Sequence, residues 1–348
     1  MIVYTFTIDK DTCFAYWAQS LIQWIWYSKS KDYEHYARTL GPFTMREKNA
    51  LKRLKKLLQR EDAGFLWLWN RYVGNEITDQ KELLIWQHIQ DTLKDKFEMV
   101  WREELPKLEI WRRDLNVYSF QELNAIFVGV AHFFDENTER NRNIIVKLLI
   151  NDDEKSLHGH VKREFNNCIV LALSSLERRY RDMAISTLAH ETIHLIEYAS
   201  PLSNALFKDS YQRIHRPALR GNLFSSVMKS MMEIFRRLLP SLLLMRGPKL
   251  HHLFIEAIIT SMAGSSLIIA YVNQKVFHKP SVLPEGALQM VDYRKKDKKN
   301  YSTQIKIVAS RLVDLTKEYL NNDKKMDKTY SDAVVRAWLD LRGGKNMI

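Results

Sequence analysis

Two histidines and a glutamate occur together at residues 190–194, in the order His-Glu-Thr-Ile-His. Residues four apart lie on one face of an α-helix, so His190 and His194 can direct both imidazoles at one ion. Zinc readily takes imidazole nitrogen as a ligand, and a catalytic zinc keeps one coordination position for water. Glu191 is suited to take a proton from that water. The spacing therefore predicts a hydrolytic centre with one Zn²⁺ ion, two histidine ligands and Glu191 as general base.

The sequence around this motif has the composition of a buried helix that follows a strand. Residues 168–173 form a short β-branched, apolar run and are predicted to be a strand. Ser174 and Glu177 have the spacing of a capping box, so a helix is predicted to start there. It should run to about Tyr198 and end before Pro201. The flanking residues that we expect to be buried are Ala184, Ile185, Leu188, Ala189, Ile193, Leu195 and Ile196.

The motif helix also carries a family resemblance. Thr187–Tyr198, TLAHETIHLIEY, resembles the active-site helix of the zincin metallopeptidases, and the preceding CIVLALSS resembles the strand beside their cleft. The resemblance covers about residues 144–198 and does not extend to the N-terminal part of the chain. It implies a zinc metallopeptidase that hydrolyses peptide bonds, with His190 and His194 as zinc ligands and Glu191 as general base.

The same resemblance implies where a substrate would lie. A strand next to the active-site helix would hold a peptide by strand addition, which here implicates Ile169, Leu171 and Leu173. The tetrahedral oxyanion is usually stabilised from across the cleft by a Tyr, His or Arg side chain. The sequence does not choose among the candidates for this role, which are Tyr211, His215, His252 and Tyr271.

Zinc needs a third protein ligand, and the sequence leaves two main alternatives. Glu256 begins the apolar segment FIEAIITSMAG and resembles the glutamate that a later helix supplies in gluzincins. A carboxylate in an apolar helix needs a partner, and zinc is a sufficient one. The alternative is His215, in YQRIHRPAL. It resembles the third histidine of Spartan-type proteases, which act on DNA-linked proteins. This resemblance is weaker than that of Glu256 to the gluzincins, because only the His and Pro of the motif H-G-P-x-F are present.

Two other sources of a third ligand are disfavoured. Glu197 follows His194 by three residues, but an unbroken helix carries it about 10 Å along the axis from His190. No glycine follows His194 to turn the chain, so the metzincin pattern H-E-x-x-H-x-x-G-x-x-H does not occur. The metzincin branch of the clan is therefore excluded, and the gluzincin-like arrangement is favoured.

The composition describes a helical, globular protein of 348 residues with a net charge of +12. Hydrophobic residues make up 46% and charged residues 27%, which excludes wholesale disorder. Gly 11 and Pro 8 are low for this length and favour long helices. Cys13 and Cys168 form neither a disulfide framework nor a C-x-x-C metal pair, and MIVYTFTIDKDT lacks the pattern of a signal peptide. We therefore expect a cytoplasmic protein.

These observations predict a predominantly helical α+β protein in three parts. Residues 1–143 are predicted to be an all-helical, aromatic-rich domain, and 144–280 a zincin-like domain with a small sheet and the active-site helix. Residues 281–348 are predicted to be a charged linker and C-terminal helices. The predicted helices outside the motif are 11–28, 44–60, 79–113, 119–134, 223–246, 249–276, 303–321 and 331–341, and the predicted strands are 144–150 and 168–173.

The expected partner is a peptide or protein substrate, and an alternative function stays open. The basic helix 44–60 and the N-terminal aromatic residues are also consistent with a non-catalytic zincin-fold protein that docks nucleic acid or a protein partner. A buried aromatic core and a solvated basic face are favoured over that interpretation. Residues 253–272 are long and apolar enough to span a bilayer, but Glu256 and four small polar residues favour a buried core helix.

Overall fold

The computed structural model describes residues 1–22, 33–59, 61–117, 120–136, 142–150, 158–161, 165, 167–173, 178–203, 205, 258–259 and 301–341. These residues are mostly helical and include a four-stranded mixed sheet, so the predicted α+β, predominantly helical class is confirmed. The strands are β1 (Ile2–Ile8), β2 (Arg142–Ile150), β3 (His158–His160) and β4 (Cys168–Leu173). The helices are α1 (Lys10–Leu21), α2 (Tyr33–Leu40), α3 (Met45–Leu58), α4 (Glu61–Val73), α5 (Gln80–Asn116), α6 (Gln121–Phe133), α7 (Arg178–Ala199), α8 (Tyr301–Asn321) and α9 (Lys328–Leu341).

The sheet has the strand order β1-β2-β4-β3 and mixes parallel with antiparallel pairing. Residues 2–8 of β1 lie opposite residues 142–148 of β2, in parallel. Residues 145–150 of β2 lie opposite residues 168–173 of β4, again in parallel. The short strand β3 runs antiparallel to β4, with Gly159 opposite Leu171. All six residues of β4 are buried, as expected of a strand with neighbours on both sides.

Aromatic and aliphatic side chains of the N-terminal helices form a core. Phe14 of α1 meets Phe97 of α5 edge to face at 5.1 Å between ring centroids, and Trp67 of α4 meets Trp86 of α5 at 5.3 Å. Such edge-to-face pairs are a favoured geometry for aromatic rings. Trp17 is buried as well. The described aromatic residues here are core residues, as the helical spacing predicts.

Helix α3 confirms the predicted basic amphipathic helix. Thr44 caps it and forms a capping box with Glu47, which satisfies backbone donors at the helix start. Its apolar residues Leu51, Leu54, Leu57 and Leu58 are buried. Its basic residues are exposed on the opposite side, namely Arg46, Lys48, Lys52, Arg53, Lys55 and Lys56.

The chain divides into two compact units, and the division differs from the predicted domain boundaries. The first unit comprises 1–120 and 141–195, and the second comprises 121–140 and 196–348. The first unit joins residues from both sides of the predicted boundary at 143/144, because β1 pairs with β2. Helices α1 to α5 and the sheet therefore belong to one unit, whereas α6 belongs to the other.

In the second unit, α8 and α9 pack together and are joined to the end of α6. The hydroxyls of Thr316 and Tyr330 are hydrogen-bonded at 2.7 Å, and the rings of Phe133 and Tyr330 meet at 5.0 Å. The Met326 backbone N–H donates to the Phe133 carbonyl at 2.8 Å. The predicted C-terminal helices 303–321 and 331–341 are confirmed by α8 and α9.

Several predictions for the segment between α7 and α8 lie outside the described residues. These are the predicted helices 223–246 and 249–276 and the charged run 294–299. The structure describes two residues of the second helix, Ile258 and Ile259, which are helical and buried. None of the helices within the described ranges is long and apolar enough to cross a membrane.

Candidate metal centre

The His-Glu-Thr-Ile-His motif lies on α7, an uninterrupted helix over Arg178–Ala199. The flanking apolar residues that the sequence predicts to be buried are all buried, from Ala184 to Ile196. Their burial fixes the rotation of α7 about its own axis, because the apolar stripe packs inward. The predicted position of the motif, inside a buried helix that follows a strand, is therefore confirmed.

The two histidines lie side by side on one face of α7. The Nε2 atoms of His190 and His194 are 3.2 Å apart, and the two rings meet edge to face at 4.9 Å between centroids. His194 is 4% exposed, and His190 is half-buried. Two nitrogen ligands at 2.0–2.1 Å from a tetrahedral zinc ion are separated by about 3.3 Å. The observed separation therefore fits two ligand positions of one zinc ion.

Glu191 is buried between α7 and the edge of the sheet. It is 8% exposed, and it lies about 60° around the helix from His194, since residues three apart are neighbours on a helix surface. A Cβ atom built on Gly159 of β3 would lie 2.6 Å from Glu191 Cγ, 2.6 Å from Thr187 Cγ2 and 3.0 Å from Glu191 Oε1. The β3 backbone at Gly159 thus packs directly against Glu191. A residue with a side chain at position 159 would prevent this close approach.

A hydrogen-bond chain ties α7 to the first strand of the sheet. The Thr192 hydroxyl donates to the Leu188 carbonyl at 2.7 Å and lies 2.8 Å from the Tyr4 hydroxyl. Since a hydroxyl has one proton to give, Tyr4 is the donor to Thr192. Thr192 lies between Glu191 and His194 in sequence, so this bond fixes the turn of α7 that carries the motif.

The residues predicted as third ligand or oxyanion stabiliser lie outside the described residues. They are Tyr211, His215, His252, Glu256 and Tyr271. Over the described part of the chain, no group of three or more His, Cys, Asp or Glu side chains is arranged to hold a metal ion. The histidine pair and Glu191 are therefore the predicted site residues that the structure brings together.

The sequence disfavours Glu197 as a ligand, because an unbroken helix carries it away from His190. Helix α7 continues to Ala199 without interruption. The Glu197 carboxylate is buried and accepts a hydrogen bond from the Ser203 hydroxyl at 2.5 Å. Both observations agree with its exclusion.

The sheet topology corrects the predicted peptide-binding strand. Ile169, Leu171 and Leu173 belong to β4, which pairs with β2 along its whole length and with β3 at residues 170–172. A peptide cannot add to β4 there, because the backbone donors and acceptors on both sides are already paired. In the described sheet β3 is the outer strand next to β4.

Sequence reasoning did not single out Gly159, Tyr4 or Thr192. Gly159 carries a weak signal, since a glycine within a strand often marks a close approach of another group. Tyr4 is brought to α7 by the pairing of β1 with β2, which no local pattern reveals.

Comparison of the chain with profiles of protein families, with curated proteins and with solved structures gives no match.

Proposed function

We propose that this protein is a zinc-dependent peptidase, with His190 and His194 as zinc ligands and Glu191 as general base. The observation that carries the proposal is the 3.2 Å separation of the two Nε2 atoms on a buried helix, with Glu191 beside them. Bound zinc would polarise a peptide carbonyl and increase the acidity of water. A third ligand from Glu256, or alternatively from His215, would complete the site in a zincin-like, gluzincin-type arrangement.

In this mechanism Glu191 moves a proton between water and the leaving amine. Its carboxylate accepts a proton from the attacking water and then donates it to the amine nitrogen as the peptide bond breaks. The burial of Glu191 supports this role, because it keeps the carboxylate away from bulk water. The carboxylate is held by the backbone of β3 at Gly159, which limits its rotamers.

A peptide substrate would add to β3 as a further strand. The antiparallel strand β3 is the outer strand of the described sheet, and its Gly159 backbone contacts Glu191. Main-chain hydrogen bonds to a strand edge give affinity without demanding a particular side chain. The contact supports an extended peptide whose backbone passes close to the general base.

The test compares Glu191→Gln with His190→Ala in the full-length protein. Glu191→Gln should retain stoichiometric zinc and lose about 100-fold or more of peptide cleavage, because the amide cannot take the proton. His190→Ala should lose both zinc and cleavage. Zinc content by elemental analysis and digestion of an unstructured peptide library measure the two properties.

Glu197→Gln is the matched control, since it changes a glutamate on the same helix and keeps an acceptor for Ser203. It should retain zinc and cleavage. Cleavage retained in Glu191→Gln would contradict the mechanism. Stoichiometric zinc without cleavage in the wild-type protein would favour the alternative, a zinc-stabilised protein that docks nucleic acid or a protein partner.

A further inference from the structure

A second candidate site is a cavity of about 390 Å³ among α1, α4 and α5 in the first unit. Its volume falls within the range of small-molecule sites, about 300–1,000 Å³. No residue of the motif helix lines it. The inner wall is formed by Arg71, Ile77, Leu83, Trp86 and Gln90, whereas Asp11 and Glu76 are exposed at the rim.

The loop that forms one side of the cavity is fixed at both ends. Helix α4 ends at Val73 and is followed by Gly74, whose φ of +80° is the left-handed conformation that glycine adopts at little cost. The Asn75 backbone N–H donates back to the Asn70 carbonyl at 2.9 Å. At the other end Asp79 caps α5 by accepting hydrogen bonds from two backbone N–H groups. The cavity is therefore formed before any ligand binds.

The floor of the cavity is a buried indole ring. Trp86 contacts Trp67 at 5.3 Å and Phe14 at 5.4 Å between ring centroids, and both contacts are edge to face. Leu83 precedes Trp86 by three residues on α5, and Gln90 follows it by four, so the three share one helix face. This wall therefore combines two apolar side chains, Leu83 and Trp86, with the amide of Gln90.

Arg71 supplies a positive charge at the inner wall. Its guanidinium carbon lies 5.6 Å from the centre of the Trp67 ring. Its Nε atom is buried and has no hydrogen-bond acceptor among the described residues. Within those residues no carboxylate forms an ion pair with it. Burial lowers the pKa of Arg71, and the negative charge of Glu82 opposes that shift. Arg71 lines the cavity and is only half-buried, so its terminal guanidinium N–H groups can donate to a bound anion.

We propose that this cavity binds a small monocarboxylic acid with a flat apolar body, the carboxylate on Arg71 and the body over Trp86. A guanidinium presents a planar fork of donors that matches a carboxylate. The exposed carboxylates of Asp11 and Glu76 add negative charge at the rim. That charge disfavours dianionic groups and nucleic-acid backbones, so one carboxylate is preferred over a phosphate.

Phenylacetate is the probe, and its neutral isostere phenylacetamide is the matched ligand control. We expect phenylacetate to bind the full-length protein saturably with a Kd of about 1 mM or tighter, measured by calorimetry. Phenylacetamide should bind about tenfold or more weakly, because it cannot form the charge-assisted hydrogen bonds. Phenyl phosphate should also bind more weakly than phenylacetate.

Arg71→Gln should remove the preference for the acid over the amide, whereas Arg53→Gln on the exposed face of α3 should retain it. Arg71→Lys keeps the charge without the fork, and should bind phenylacetate with intermediate affinity if Arg71→Gln does not fold. Equal binding of acid and amide by the wild-type protein would overturn the proposal. So would the lack of saturable phenylacetate binding, or a preference for phenyl phosphate.

Discussion

The side chain of Glu191 packs against β3 at Gly159, where the strand has no side chain. A Cβ atom at position 159 would lie only 2.6 Å from side-chain carbons of both Glu191 and Thr187. Thr187 is β-branched and has few alternative rotamers in a helix, so it cannot turn aside easily. Any side chain at position 159 must therefore displace Glu191 or push β3 away from α7.

We predict that Gly159→Ala loses both stability and cleavage. Overpacking of this kind costs about 1–3 kcal/mol of the free energy of unfolding. Displacement of Glu191, the proposed general base, by about 1 Å should reduce kcat/KM of the proposed peptide cleavage by about 100-fold. Thermal unfolding, zinc content and peptide digestion measure the three consequences, and zinc binding should persist.

Gly129→Ala is the control for this substitution. Gly129 lies inside α6, and a Cβ atom built there has no neighbour within 4 Å. The change should raise the free energy of unfolding by about 0.5–1 kcal/mol, because alanine favours the helix, and should leave cleavage unaltered. Wild-type behaviour of Gly159→Ala in all three measurements would contradict the observed packing.

Tyr4 and Thr192 form a second contact whose contribution can be measured. Tyr4→Phe keeps the ring, which packs edge-on against Phe120 at 4.8 Å, and removes only the hydroxyl. We expect a loss of about 0.5–1.5 kcal/mol in the free energy of unfolding. In a double-mutant cycle with Thr192→Val, the two losses should couple by about 1 kcal/mol. Strictly additive losses would show that the hydrogen bond contributes nothing.

At the scale of single elements, the burial of β4 makes a prediction about pH. Burial raises the pKa of the Cys168 thiol to about 11, with Lys147 opposing the shift. An unfolded thiol ionises near pH 8.5. The folded protein therefore keeps a proton that the unfolded chain loses, so stability falls as the pH rises from about 8.5 to about 11.

Cys168→Ala should lack this component of the pH dependence. The stability advantage of the wild-type protein over the variant should shrink across that pH range, as measured by denaturant unfolding. Thiol labelling of the folded protein at neutral pH should be slow, since Cys13 and Cys168 are both buried and neither is in a disulfide. Parallel stability curves for the two proteins would contradict the assignment.

Whether an element could be predicted from the sequence depends on whether it carries a regular apolar pattern. Helices α3 and α5 carry long periodic apolar stripes, and their predicted ranges 44–60 and 79–113 agree closely with the observed ones. Strand β4 is a short β-branched run and is predicted over its full extent. Strand β3 has three residues and no period, and α4 is apolar with little periodicity, so neither has a readable pattern.

In the candidate site, too, the local features could be predicted from the sequence and the long-range contacts could not. Spacing along one helix predicts that His190 and His194 share a face, because i and i+4 geometry is local. The contacts of Glu191 with Gly159 and of Thr192 with Tyr4 depend on strand order and register. Those are set by pairing between distant segments, and a single sequence shows no sign of the partner.

At the scale of the whole molecule, the predominantly helical α+β class was predictable from the sequence. The polar run before β2 has the composition of a linker, and it predicts a boundary at 143/144. Strand β1 crosses that boundary by pairing with β2, so helices α1 to α5 share a unit with the sheet and the motif. A parallel pair needs a long connection between its strands, and here that connection contains α1 to α6.

The pairing of β1 with β2 has a consequence for how the protein is made. The ribosome releases residues 2–8 long before residues 142–150 exist. Strand β1 therefore has no β2 to pair with until helices α1 to α6 have been synthesised. During that time its backbone donors and acceptors are exposed to other chains, which favours aggregation or capture by a chaperone. Closing so long a loop also slows folding, because its entropy is lost before the sheet contacts form. The first unit can thus complete its sheet only when translation has passed the last residue of β4.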